Sequence, residues 1–441
     1  MLPLTMTIKF LGAAGTVTGS GYLLDIGHSQ FIIDFGMFQG TSDEAALNRM
    51  PLTFDPKKVS AVFLTHAHLD HCGRLPLLVK HGFSGPIYAT PATQDLTEIV
   101  LFDSAKIASQ DMEESPLYSE RDVARTLQLF RIAEYHQPFQ FKDLRVQYID
   151  AGHIIGSSSL KIEQNSKTIV FSGDLGAFPD YLVKPTEFFD SADVVIMEST
   201  YGGRAHPNEN PKKLLLEHLN WAENQKGTLL IPSFAIQKTQ VLLSLIRELK
   251  DEGAVAAKTT VYLDSPMAVR ATEVYKHFSH LLNKKSFNFP GLKVTTKSSQ
   301  SRHINEVSGA KIIIAGSGMM TGGRILNHAQ KYLSRKNTRL LFVGYQAVET
   351  IGRSLKEGAE SIVVYDEDIK VNAEIKSIES LSSHADEPRL IEWLGKVNNP
   401  QKVILTHGED ESRIQLASRI RRELGISEVL LPKLNQEISL D

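Results

Sequence analysis

Cysteine is nearly missing from this chain: of 441 residues one, Cys72, is a cysteine. That excludes an internal disulfide and a cysteine-built zinc cage, and it fits a reducing compartment. No apolar run approaches the roughly 20 residues of a membrane-spanning helix, so no membrane role is expected. The opening stretch, Met1 to Phe10, has neither the basic start nor the apolar core of an export signal, and a cytoplasmic location is expected. Neither sign of charge dominates: 48 Lys+Arg face 51 Asp+Glu, a formal net charge of −3, which argues against a uniformly basic nucleic-acid binder. With 42% hydrophobic and 22% charged residues, disorder and collagen-like structure are excluded too. The length suits two or three domains, and any metal must be held by histidines and carboxylates.

The distribution of charge is less even than its sum. Residues 206–372 hold 23 Lys+Arg and 15 Asp+Glu, or +8, which leaves 25 and 36, or −11, for the remainder. Either this is an accident of solvated faces, or a basic lobe stands against an acidic one and draws a polyanion between them.

Short strands separated by glycine turns are expected at Thr7–Leu11, Gly21–Asp25 and Phe31–Phe35, with a further one at Ser60–Thr65. Helical spacing runs over 91–129, and strands return at Leu144–Ile149, Ser159–Ile162, Thr168–Ser172 and Val194–Glu198. After Tyr201-Gly-Gly-Arg204, strand and helix alternate, with strands at Thr228–Ile231, Thr259–Leu263, Lys311–Ala315, Thr338–Val343 and Ser361–Tyr365. Alternation of this kind predicts a doubly wound parallel sheet in an inserted domain over 206–372. A helix at Ile391–Val397, a strand at Lys402–Thr406 and a helix at Glu411–Leu424 follow it. The expected division is 1–205, 206–372 and 373–441, an α/β chain throughout.

Thr65-His66-Ala67-His68-Leu69-Asp70-His71 places three imidazoles and a carboxylate directly after an apolar strand, a donor set suited to Zn²⁺. From an extended loop His66 and His68 project the same way and can share one ion, while Asp70 and His71, further round the turn, can serve a second. More donors stand at the carboxyl ends of apolar strands: His153 after Gly152, Asp174 after Ser172-Gly173, and His407 before Gly408. A glycine beside each permits close backbone approach.

Asp34, the His66–His71 run, His153, Asp174 and His407, in this order, resemble the ligand motifs of the metallo-β-lactamase superfamily. The resemblance implies an αβ/βα sandwich with two zinc ions. The first would be held by His66, His68, His153 and Asp174. The second would be held by Asp70, His71, His407 and a bridging Asp174, with Asp34 orienting ligands from behind. The basic insertion, Glu198 in Met-Glu-Ser-Thr, His384 in Ser-Ser-His-Ala-Asp, and the stretches Gly318–Arg324 and Gly344–Arg353 resemble the β-CASP group of nucleic-acid hydrolases. The likeness extends to bacterial and archaeal relatives of the endonuclease subunit of the pre-mRNA cleavage and polyadenylation complex. A histidine at the position of His407 accompanies RNA substrates in that group.

What this implies is a zinc-dependent ribonuclease acting on single-stranded RNA as an endonuclease, with 5′-3′ exonuclease action left open, as is a homodimer. Asp70, His384 and Glu198 would be its catalytic residues, His384 as the acid that protonates the leaving 3′-oxygen. Ser233, Phe234, Lys238, Ser317, Gly318, Met319, Gly322, Gly323, Arg324 and Arg353 would contact RNA or its phosphates. The loop entering Arg324 lacks the Lys and Ser/Thr of a nucleotide P-loop. It is either an amide cradle for phosphate or a tight strand–helix turn. Two departures from the group stand out: Gln237-Lys238 replaces its Gly-Arg, and Glu349-Thr350 its Gly-Thr. The alternatives are a small-molecule ester, lactone or thioester hydrolase and a catalytically silent RNA-binding scaffold.

Overall fold

The computed structural model describes residues 6–110, 114–177, 180–284 and 286–441. Part of the segment read for an export signal, residues 1–5, and positions 111–113 of the helical stretch lie outside them. The chain forms two compact units, Met1–Ala205 with His384–Asp441, and His206–Ser383.

In the first unit two seven-stranded sheets are built from alternating side chains. One has the order Glu437–Ser439, Thr7–Phe10, Gly21–Asp25, Gln30–Phe35, Val59–Phe63, Ile87–Ala89, Phe130–Ile132. The other runs Glu428–Leu430, Lys402–Thr406, Val194–Glu198, Lys167–Phe171, Ser158–Gln164, Leu144–Asp150, Phe139–Phe141. Strand Val194–Glu198 is buried at every residue, because its two faces meet different neighbours. Val194 and Ile196 join Phe10, Phe31, Phe63 and Tyr148 in the core shared by the two sheets. Val195 and Met197 pack on the other side against Leu390, Trp393, Leu416 and Ile420, which belong to the helices Glu387–Gly395 and Asp410–Leu424. Period-two alternation thus produces helix-covered sheets in a sandwich.

The second unit carries six parallel strands in the order Leu292–Val294, Thr260–Asp264, Lys311–Ala315, Thr228–Pro232, Thr338–Phe342, Glu374–Ser377. Two sequence expectations need correction here. Ser361–Val364 is not part of this sheet; it forms an antiparallel hairpin with Glu367–Lys370, turned by Tyr365 and Asp366 at positive φ. Residues 373–383, expected with the flanking domain, contain Glu374–Ser377, which pairs with Arg339–Phe342 inside the second unit. A short, half-exposed edge strand carries little apolar signal, which is why the crossing read as earlier. The helix Pro211–Gln225 was also missed, although Asn210 caps it by accepting from the amides of Lys212 and Lys213, with proline at its first position. Among the described residues no helix is long and apolar enough to cross a membrane.

Candidate metal centre

Each donor stands where a strand runs out. Strand Val59–Phe63 delivers an extended stretch, which turns into the helix Leu69–Cys72 carrying Asp70 and His71. The turn packs so closely that a Cβ on Gly36 would fall 1.5 Å from the Asp70 carbonyl oxygen, a gap only glycine leaves open. Leu144–Asp150 leads to His153, Lys167–Phe171 to Asp174, and Lys402–Thr406 to His407, while Val194–Glu198 ends on Glu198 itself. Asp34 and His407 adopt left-handed φ values of 54° and 50°, a strained choice for residues with side chains that is characteristic of functional sites. His384 is held by pairing with Gly176 and by the Ala385 amide, which donates to the Leu175 carbonyl at 2.8 Å.

The side chains gather into two donor sets, His66, His68, His153 with Asp174, and Asp70, His71 with His407, each with its ligand atoms within 4.8 Å of one another. In the first, His66 Nε2 and His153 Nε2 both lie 3.1 Å from His68 Nδ1, and Asp174 Oδ2 lies 3.6 and 3.8 Å from His66 and His153. In the second, His71 Nε2 is 3.2 Å from His407 Nε2, and Asp70 Oδ2 is 3.4 Å from His407. The other oxygen of Asp174, Oδ1, faces this set at 3.3 Å from His71 and 3.7 Å from His407. Zn²⁺ with ligands at about 2.0–2.1 Å would separate them along tetrahedral edges of roughly 3.3–3.4 Å, within the span of these spacings. Asp174 Oδ1 is buried and makes no well-formed hydrogen bond, a costly state for a carboxylate unless a cation neutralises it. The residues present therefore fit a pair of metal ions.

The outward-facing nitrogens decide which lone pairs point inward. Asp34 accepts from the Thr65 amide (2.7 Å), the Thr65 hydroxyl (2.7 Å) and His71 Nδ1 (2.7 Å), so His71 carries its proton on Nδ1. The Thr65 hydroxyl, already donating to Asp34, accepts from His66 Nδ1 at 3.1 Å. The Thr200 hydroxyl donates to the His407 carbonyl (3.1 Å) and accepts from His407 Nδ1 (3.0 Å). In all three rings Nε2 is left to face the donor cluster. Thr65 and Thr200 were missed in the sequence; the only signal was a hydroxyl residue beside a motif already noticed.

Charge follows the same plan. Burial, then the neighbouring imidazoles, pushes His66 well below its usual range, and burial takes His68 down to about 4, so both are neutral donors. Burial opposes a charged His71, yet the carboxylates of Asp174 and Asp34 outweigh it and hold that ring well above the usual range. Asp174, against the cost of its own burial, is held well below the carboxylate range by His407 and His71. Asp70 is lowered in the same way, burial being outweighed by the His407 hydrogen bond and by His71. His384 lies with Nδ1 3.4 Å from Glu198 Oε1, and that carboxylate raises its affinity for protons despite burial. Glu198 is itself pinned by the amide of Leu175 at 2.6 Å.

The residues expected to grip RNA belong to the second unit, and several point inward. Arg324 donates to Asp264 Oδ1 (2.7 Å) and to the carbonyls of Thr295 (3.2 Å) and Thr296 (2.6 Å) rather than presenting a free fork. Lys238 is 6% exposed and its ammonium donates to the Leu381 carbonyl. Ser233 is 2% exposed and its hydroxyl is shared with Thr239. Buried polar groups must be paired within the protein, and those of Lys238 and Ser233 are. Arg353 meets Glu357 one helical turn away at 2.6 Å. Ser317 closes its own loop, its Oγ accepting from the Thr321 amide at 3.0 Å. Gly318 is buried under the Phe234 ring, while Phe234, Met319 and Gly322 are half-buried and Gly323 is exposed. The two departures share a cost: Gln237 and Glu349 stand at φ 65° and 64°, where glycine is favoured.

Three family descriptions match the chain: the metallo-beta-lactamase superfamily over residues 14–217, the Beta-Casp domain over 239–355, and a Zn-dependent metallo-hydrolase RNA specificity domain over 368–432. Similar proteins include "Ribonuclease TTHA0252" of Thermus thermophilus, 37% identical across 99% of this chain and 98% of that protein. "RNase aCSPSF2" of Saccharolobus solfataricus is 30% identical across 98% and 85%. "Transcription termination factor FttA" of Pyrococcus abyssi is 31% identical across 95% of this chain and 69% of its own. Among solved structures, a protein of unknown function from Enterococcus faecalis shares the fold at a TM-score of 0.56 and 14% identity, covering 99% of this chain and 100% of that one.

Proposed function

Because this chain belongs to the metallo-β-lactamase superfamily and to its β-CASP group, we propose that it is a ribonuclease that hydrolyses RNA phosphodiester bonds with two bound zinc ions. The observation that carries the reading is Asp174, whose two oxygens face two separate, complete donor sets. The Thermus and Saccharolobus relatives bear ribonuclease names, and the matched specificity domain is described for RNA.

The ligands of the first ion would be His66, His68, His153 and Asp174, and those of the second Asp70, His71, His407 and Asp174. When bound, such a pair supplies Lewis acidity toward a phosphoryl oxygen and an activated water at neutral pH. The chain's own residues do the rest. Asp34, Thr65 and Thr200 orient the imidazoles, as metal sites generally require. Asp70, kept ionised by His407 and His71, holds its charge at the site. His384 donates a proton to the leaving 3′-oxygen, with Glu198 keeping a proton on Nδ1 and so setting which nitrogen serves. The products are a 3′-hydroxyl and a 5′-phosphate. Single-stranded RNA is the substrate, cut internally, with exonuclease action from the 5′ end as the second mode to be scored.

Purified protein is incubated with 5′-labelled and 3′-labelled single-stranded RNA, with and without chelator, and its metal is counted. Cleavage lost on chelation and restored by zinc, at two ions per chain, is expected. Cleavage indifferent to chelator, or well under one zinc per chain, refutes the reading.

A further inference from the structure

The second unit's sheet changes winding direction between adjacent strands. The helix after Thr228–Pro232 leads to Thr260–Asp264 on one side, and the helix after Lys311–Ala315 leads to Thr338–Phe342 on the other. In open parallel sheets ligands bind beyond the carboxyl ends of the strands at such a point. The loop Gly316–Gly323 begins there. It is closed by three main-chain bonds, Ser317 to Gly322 (3.1 Å), Met320 to Ser317 (3.3 Å) and Ile325 to Gly316 (3.0 Å).

What secures the loop's exit is a carboxylate one strand away. Asp264, the last residue of its strand, is wholly buried. Its Oδ1 accepts from Arg324 (2.7 Å) and from the Thr295 hydroxyl, and its Oδ2 accepts from Ser301 (2.6 Å) and His328 Nε2 (2.7 Å). These donors outweigh burial and hold the carboxyl at about 2, so it stays charged. His328 is 0% exposed, and its Nδ1 is buried without a hydrogen-bond partner, so Asp264 is the polar contact of that ring. Arg324 and His328, four residues apart, lie on one face of the first turns of the helix Arg324–Tyr332. The cluster is not a serine hydrolase site. Asp264 stands between Ser301 and His328, so the imidazole does not reach the serine, and Ser265 caps a helix by accepting from the Ala268 amide.

We propose that Asp264, acting through Arg324 and His328, is a positioning centre that fixes the backbone of the Gly316–Gly323 loop for single-stranded RNA, and that none of the three touches the RNA. The ligand rests on the ribonuclease reading; the loop geometry does not. A guanidinium engaged with one carboxylate and two carbonyls has its strong donors directed inward, so its effect on RNA passes through the loop.

Arg324→Lys keeps the charge and discards the fork. Binding of a fluorescent single-stranded oligoribonucleotide is expected to weaken at least tenfold with an unchanged slope of log K against log salt. Amide exchange at Met320 and Ile325 in the RNA-free protein is expected to quicken at least tenfold. His328→Gln, which retains a donor toward Asp264 without the ring, serves if the first variant fails to fold, and the same changes are expected. A direct phosphate contact gives a different pattern: Arg324→Lys binds almost normally, Arg324→Ala lowers the salt slope by about 0.7, and the loop amides exchange as before. Unchanged exchange or a reduced slope overturns the proposal. A wild-type protein that binds no RNA counts against the ribonuclease reading, and the exchange rates still decide the role of Asp264.

Discussion

Replacing Asp34 by asparagine tests whether a carboxylate behind the metal ligands sets their chemistry. The carboxylate takes three donors, the Thr65 amide and hydroxyl and His71 Nδ1, each at 2.7 Å. Asparagine has one acceptor oxygen. If that oxygen keeps the Thr65 amide, the new NH₂ faces His71 Nδ1 and the Thr65 hydroxyl, and the ring must accept there. Its proton then moves to Nε2, the atom 3.2 Å from His407 Nε2 that should present a lone pair. Loss of such an orienting partner typically weakens a metal site 10–100-fold, about 1.4–2.7 kcal/mol. The effect should reach the first set as well, because the Thr65 hydroxyl that the new NH₂ faces is also the partner of His66 Nδ1. Titration with buffered zinc should find the metal released 10–100-fold more readily than from the wild type, with the fold intact by circular dichroism. A variant that holds both ions as tightly as the wild type would refute the tautomer argument.

Other perturbations read other parts of the molecule. His384→Ala should leave the zinc content unchanged and lower turnover by about 10²–10⁴-fold, measured under single-turnover conditions; undiminished activity removes His384 from the reaction. Glu349→Gly should raise stability by about 0.5–1 kcal/mol, since relief of a left-handed residue exceeds glycine's chain entropy. Gln237→Gly should show no such gain in the same melts, because Gln237 Oε1 accepts from the Tyr275 hydroxyl at 2.7 Å. Burial and the nearby Glu187 hold Asp150 up at about 7, so the folded state retains a proton that the unfolded state has released. Stability then falls as pH rises from about 4 to 7, by about 4 kcal/mol. Asp150→Asn should flatten that slope, its gain over the wild type appearing at pH 8 and vanishing below pH 4; parallel curves would show the argument to be mistaken.

The candidate metal donors were legible as a cluster because each pairs a distinctive side chain with the end of an apolar strand. His66 stands in a dense local motif, whereas His153, Asp174 and His407 count only as a set placed alike at strand ends, which the fold then had to bring together. The parallel sheet was legible for a similar reason, since buried strands such as Lys311–Ala315 are continuous apolar runs after their first residue. Edge elements were not: Glu374–Ser377 and the hairpin Ser361–Lys370 are largely exposed, and their pairing depends on neighbours remote in sequence. The residues expected to grip RNA show a different limit of the sequence. Arg324 and Lys238 carry the charge that phosphate binding calls for, but a charged side chain also anchors a turn from inside, and sequence does not say which way it faces. Asp264 gives no signal in the sequence, because its partners lie 31, 37, 60 and 64 positions away.

The second donor set closes only with His407, and its neighbour His384 also follows the entire inserted unit. Synthesis from the amino terminus therefore yields six of the seven donors early, while the last waits until another 178-residue body has been made. A chain interrupted anywhere within that body would lack both late histidines, together with the strand Lys402–Thr406 and the helices that cover it. Partial products of translation would then be inert toward the messengers around them, a safeguard that arises from the order in which the residues are made.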